Sequence, residues 1–94
     1  MKIHIRLIQM ALYVPNVANS TELHRAMGVL RAYLKGQVNI ALSIEPYVEI
    51  DKARIAITVI GFQKTDVEQE SERLIEWIER TVDGQTLATE CVWL

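Results

Sequence analysis

The sequence predicts an α+β sandwich in the order strand–helix–strand–strand–helix–strand, and three observations predict it. Apolar residues recur in twos, then at the 3.6-residue step of a helix, in twos twice more, at the helical step again, and finally in twos. Each helical stretch opens on a capping pattern and closes on a glycine. The two halves match in length and pattern, and together they occupy the 94 residues with almost nothing left over. Right-handed crossovers then give an antiparallel sheet in the order 4-1-3-2 with both helices on one face, a single domain over residues 1–94.

The first strand begins at Lys2, with Ile3, Ile5 and Leu7 on one face and His4 and Arg6 on the other. The parity then flips, because Ile8, Met10, Leu12 and Val14 form a second alternating set. A β-bulge near Ile8 and Gln9 would return that set to the first face; a central strand buried on both sides is the other way to hold it. Pro15 ends the strand, and residues 16–19 form a loop.

Helix one starts at Asn19 or Ser20, where Asn19 and Glu22 make a capping-box-like pair. Leu23, Met27, Leu30 and Leu34 follow at helical spacing, widened by Ala26 and Tyr33. Gly36 fits the left-handed position just past the end, and Gly28 is expected to mark a close approach to the sheet.

The second strand alternates most cleanly, with Val38, Ile40, Leu42 and Ile44 on one side and Asn39, Ala41, Ser43 and Glu45 on the other. Val48 and Ile50 keep the apolar parity beyond Pro46, which places this strand at a sheet edge because proline has no N–H for the ladder. The third strand turns Ile55, Ile57 and Val59 to the core. A tight turn at Asp51 and Lys52 sets Glu49 across from Arg54, Val48 across from Ile55 and Ile44 across from Val59.

Helix two opens on a capping box, Thr65 to Glu68, and buries Val67, Ser71, Leu74, Ile78 and Val82. Glu68, Glu72, Glu76 and Glu79 form its solvated face, and Gly84 closes it. The last strand, 85–94, carries Leu87, Cys91 and Trp93 on one side and Ala88, Glu90, Val92 and Leu94 on the other. This split βαβ arrangement is the ferredoxin-like sandwich, a fold that hosts many unrelated functions.

Composition narrows the function. Hydrophobic residues make up 50% of the chain, a surplus that in a thin sandwich favours covering an apolar face by self-association. The net charge of −2 lacks the positive field that dominates nucleic-acid affinity. One cysteine, Cys91, excludes a disulfide framework and reads as a small core residue. Strand alternation from Lys2 onward leads us to expect no leader peptide, and no apolar run is long enough for a bilayer; the expected setting is cytoplasmic.

No residue set names a reaction. His4 and His24 sit on different elements with no third ligand spaced to join either, so neither a metal site nor a cofactor is expected. Ser20, Ser43 and Ser71 lack a nucleophile elbow. Trp77 and Trp93 are read as anchors of the core and its rim. Named activities of this fold also fail by absence. There are no strand aromatics for RNA recognition over 54–59, no cysteine pair after the first strand, and no glycine-rich phosphate loop.

What remains is the sheet face away from the helices. By the parities above it carries His4, Arg6, Asn39, Ala41, Ser43, Glu45, Arg54, Ala56, Thr58, Ile60, Phe62, Ala88, Glu90 and Val92. The candidate interaction residues are Arg6, Ala41, Ser43, Arg54, Ala56, Thr58, Ile60 and Phe62. A mildly apolar surface with charges of both signs suits a protein better than a polyanion. Arg6 and Arg54, on neighbouring strands, are candidates to hold an anion together, with salt bridges to nearby glutamates as their simpler use.

Several local patterns resemble the YlxP-like family of small uncharacterised bacterial proteins. They are the long first strand ending in Leu12-Tyr13-Val14-Pro15, the spacing of Ser20 and Arg25, and Asn39-Ile40-Ala41-Leu42 opening strand two. Lys52-Ala53-Arg54-Ile55-Ala56-Ile57 at strand three completes the set. Thr21, Glu22 and Leu23 replace that family's lysine-rich helix start. The resemblance implies a ferredoxin-like, cytoplasmic domain associated with translation or RNA maturation, with no agreed chemistry. The expectation is a non-enzymatic protein that self-associates, a dimer above all, and binds protein. The alternatives are an RNA- or ribosome-associated accessory factor, and a small-molecule binder or enzyme with its site at a subunit interface. No membrane partner is expected.

Overall fold

The first strand organises the molecule. In the computed structural model, which describes residues 2–46, 51–82 and 84–94, β1 runs over His4–Tyr13 and pairs antiparallel with a strand on each side. Those neighbours are β3 (Lys52–Gly61) and β4 (Gln85–Trp93), and β2 (Ile40–Pro46) pairs with β3. The sheet order is β2-β3-β1-β4, the predicted 4-1-3-2 read from the other edge. β2 lies at an edge, as Pro46 requires.

The expected bulge at Ile8 and Gln9 is absent. β1 keeps one register with β3 from His4↔Gly61 to Tyr13↔Lys52. Its ladder with β4 shifts only between Ala11 and Leu12, where Thr86 and Ala88 are matched and Leu87 becomes the extra residue of the edge strand. The parity flip in the sequence is therefore a real change of face. Ile8, Met10, Leu12 and Val14 point into the core at 3% exposure or less, while Ile5 and Leu7 point away from it.

The β2–β3 register is also corrected. Ile44 lies across from Ile55 and Ile40 across from Val59, four positions from the expected pairing of Ile44 with Val59. Asp-Lys does not favour the positive φ values that two-residue hairpin turns need, and the described ladder runs to Pro46↔Ala53. The shift is even, so the same faces meet. The expected pairs of Val48 and Glu49 lie outside the described residues.

Helical cover comes in three segments on one side of the sheet. The first helix is two seven-residue pieces, α1 (Ser20–Ala26) and α2 (Gly28–Leu34), separated at Met27. Asn19 caps α1: its Oδ1 accepts from the Glu22 N–H at 2.9 Å, while Glu22 Oε2 accepts from the Ala18 N–H at 2.6 Å. Gly36, at φ 91°, follows α2 in the left-handed conformation expected of it. Gly28 makes no close approach to the sheet, for a Cβ there would meet nothing within 4 Å.

The second helix, α3 (Lys64–Thr81), starts one residue before the expected capping box. Gln63 is its cap residue, with no side-chain capping bond, so Thr65 lies inside the first turn. Its buried stripe is the predicted one: Val67, Ser71, Leu74 and Ile78, with Val82 beyond. Buried Ser71 is satisfied locally, its Oγ–H donating to the Val67 carbonyl at 2.7 Å. These residues close over Ala53, Ile55, Ile57 and Val59 of β3 and the second half of β1, with Leu23, Met27, Leu30 and Leu34 from the other helical arm.

Two glycines predict opposite outcomes. A Cβ at Gly84 would collide with the Tyr13 carbonyl, backbone that cannot step aside. Gly84→Ala is expected to cost about 1–3 kcal/mol. Gly28→Ala, unobstructed in a helix, should instead stabilise by about 0.5–1 kcal/mol. Urea denaturation of the two variants beside the parent measures both signs.

Candidate functional site

The face that no helix covers is best described in rows across the strands, each given by the hydrogen-bonded registers. From β2 to β4, one row reads Glu45, Arg54, Ala11, Ala88 and the next Ser43, Ala56, Gln9, Glu90. Then the character changes. The following row is Ala41, Thr58, Leu7, Val92, and beyond it Ile60 lies across from Ile5. The Leu94 N–H donates to the Ile5 carbonyl at 2.9 Å, which carries β4 into that row.

Half of the open face is thus polar and half apolar. The exposed large hydrophobics concentrate in the apolar half: Ile60 is 40% exposed, Val92 39%, and Leu94 70%, with Ile3 and Phe62 just past their strand ends at 57% and 61%. Ile5, Ala41, Thr58, Ile60 and Leu94, with fully exposed Val38 and with Asn39 and Ile40 at the start of β2, line a shallow concavity of about 360 Å³. Val29, Tyr33 and Leu87 are also exposed but stand apart on α2 and on the β4 bulge. A contiguous patch on one side of a small domain has a different meaning from scattered exposed residues.

Of the expected face residues, Ala41, Ser43, Arg54, Ala56, Thr58 and Ile60 lie on the open side, and Phe62 continues their parity. Arg6 does not. It is matched with Val59 and Trp93, and so projects on the helix side. Arg6 and Arg54 therefore occupy opposite faces and cannot hold one anion. His4 shares the helix side with Arg6, and Ile5 and Leu7 take the open-face places assigned to them. The physical reason is the unbroken β1: without a bulge, its first half keeps the parity of its second.

Asn39 also leaves the expected face. It precedes β2, and its Nδ2 donates to both Glu70 carboxylate oxygens at 3.2 and 3.1 Å and to the Ile60 carbonyl at 3.3 Å. It fastens the start of β2 to α3 and β3.

On the helix side, Trp93 gathers cations. The Arg6 guanidinium lies 4.7 Å from its ring centre and the Lys64 ammonium 5.2 Å, while His4 meets it edge-on at 6.3 Å and 80°. Arg6 Nε is buried and finds no hydrogen-bond partner among the described residues, while its guanidinium lies against the indole. Trp77 stacks on Tyr33 at 3.9 Å and 15°, joining α3 to α2. Both tryptophans thus anchor the core rim.

The other candidates are occupied structurally. Arg31 Nη2 lies 2.9 Å from His24 Nδ1, tying the histidine of α1 to α2. Cys91 is half-buried against the core. No group of three or more His, Cys, Asp or Glu is arranged to hold a metal among the described residues, and no helix is long and apolar enough to cross a membrane.

The fold is the ferredoxin-like one. Among solved structures the chain is similar to the de novo designed protein Foldit4, at TM-score 0.56 and 12% identity over 99% of this chain and 97% of that one. It is similar to the designed protein Ferredog-Diesel at 0.51 and 15%, covering 95% and 83% of the two chains. The SecDF periplasmic domain P4 matches at 0.50 and 15%, over 95% and 87%. No family model and no curated protein matches. Likeness at such identities is a likeness of fold.

Because Arg6 sits on the shielded side, Arg6→Ala should cost about 1–2 kcal/mol in urea denaturation through lost stacking and packing on Trp93. Its molar mass in solution should match the parent's at every concentration. A change in association on removing Arg6 would contradict its placement.

Proposed function

We propose that this is a non-enzymatic protein of the cytoplasm that acts by self-association and protein binding through the open sheet face. The observation that carries the reading is the apolar half of that face, where Ile5, Leu7, Ile60, Val92 and Leu94 adjoin with no element of the described chain above them. Covering a side chain of that size contributes about 1.5–3 kcal/mol, so a few of them supply an interface centre. The polar rows beside them form a rim in which Glu45, Arg54 and Glu90 keep the patch oriented.

The resemblance to the YlxP-like family supports a second reading, an RNA- or ribosome-associated accessory role. The observation on its side is the Trp93 corner, where Arg6 and Lys64 lie on one indole. The net charge of −2 weighs against a polyanion as the main partner. The two readings differ in what abolishes them, since RNA binding would fall steeply with salt and with loss of Arg6 and Lys64.

Light scattering across a concentration series tests the first reading. The parent should move toward a dimer mass, and Ile60→Asp should weaken association about tenfold or more while leaving the far-ultraviolet circular dichroism unchanged. A parent that stays monomeric at every concentration overturns the proposal.

A further inference from the structure

The open face carries a pattern that selects one way for two copies to meet. We infer that two molecules stack open face on open face about a two-fold axis lying between the sheets and parallel to the strands, so that β1 of each covers β3 of the other and β2 covers β4. This rests on the self-association proposed above and specifies its geometry.

Such an axis exchanges the strands but keeps every row at its own height. In the row Ala41, Thr58, Leu7, Val92 it lays Val92 over the second copy's Ala41, and Leu7 over its Thr58. In the next row Gln9 covers Ala56 and Glu90 covers Ser43. In the row after that, Arg54 covers Ala11 and Glu45 covers Ala88. A larger side chain meets a smaller one at each of these positions, which is the interdigitation that close-packed sheets need. Apolar rows meet apolar rows, and no carboxylate lies directly over a carboxylate: Glu90 and the second copy's Glu45 stand one row apart, with that copy's Arg54 beside its Glu45. Strands related this way run nearly aligned, the common angle for stacked twisted sheets.

The alternatives fit less well. An axis across the strands at mid-face would invert the rows, setting Val92 on Glu90 and Ile60 on Arg54, and so burying charge against the apolar half. Moving that axis into the apolar half halves the contact. The whole face, four strands at about 4.8 Å and ten residues at about 3.3 Å, offers about 600 Å² per copy. Both copies together reach about 1,200 Å², the lower end of stable interfaces, so half of it falls short. Pairing through a sheet edge would leave the apolar rows bare.

Ser43 and Glu90 provide the test, because within one chain they lie on the two edge strands, about 14 Å apart across the sheet. Only the second copy brings them together. Ser43→Glu sets two carboxylates against each other twice per dimer and should weaken association about tenfold or more. Adding Glu90→Lys should restore it to near the parent's, and Ser43→Lys alone should tighten it, a gain that general damage to the face cannot produce. Sedimentation equilibrium reads all four proteins, with thermal melts confirming that they remain folded. A parent dimer indifferent to Ser43→Glu, or not rescued by Glu90→Lys, overturns this axis and leaves self-association standing. A monomeric parent removes both.

Discussion

The constraint from which the rest follows is the unbroken pairing of β1. A central strand hydrogen-bonded on both sides has a fixed side-chain period of two, and a slip or bulge would have to be absorbed by two ladders at once. The β1–β3 ladder runs its whole length without irregularity, and the single shift on the other side is absorbed by the edge strand at Leu87. With its parity locked, β1 can serve only one face at each position. Its sequence, however, changes which face is apolar halfway along, at the step from Leu7 to Ile8. The outcome is a central strand whose second half turns its hydrophobic side to the helices, and whose first half turns it away.

That inversion explains what surrounds the first half. On the helix side its positions are His4 and Arg6, too polar for the core that Ile8, Met10 and Leu12 join. They are accommodated at the corner where β4 ends and α3 begins, by the Trp93 ring, which Lys64 also approaches. The indole faces the guanidinium at modest energetic gain, which lets a cation lie against the sheet with no ion pair among the described residues. On the other side the same strand presents Ile5 and Leu7. The corner and the oily half-face are two consequences of one register.

Most of the fold was legible from the sequence because its signals are local and independent. Asn19 caps where a capping residue should, Gly36 is left-handed where a helix ends, and Val67, Ser71, Leu74 and Ile78 hold one stripe. What the sequence left undetermined was long-range. Whether the flip at Ile8 is a bulge or a change of face depends on what pairs with β1, which no window along one strand reveals. The hairpin register failed for a related reason, since parity admits any even shift and only the connection selects one. Asn39 was misplaced because its carboxylate partner, Glu70, lies on another element. Of the candidate face, the β2 and β3 residues were readable from clean alternation, while Arg6, Ile5 and Leu7 depended on the unresolved flip.

A bare apolar half-face invites uncontrolled association, so the way the remaining surfaces are finished matters. The β2 edge ends in Pro46, which offers no N–H for a further strand. The β4 edge is bent by the extra Leu87 and carries Glu90 at its middle, features that hinder another strand from pairing along it. Pairing of a further strand is hindered at Pro46 on one edge and along β4 on the other, while the face between them is left open. A surface that closes on a copy of itself by a two-fold operation stops at two, whereas head-to-tail edge pairing has no such limit. The edge features and the oily rows both suit the proposed face-to-face pair, whose two-fold closure would stop at two.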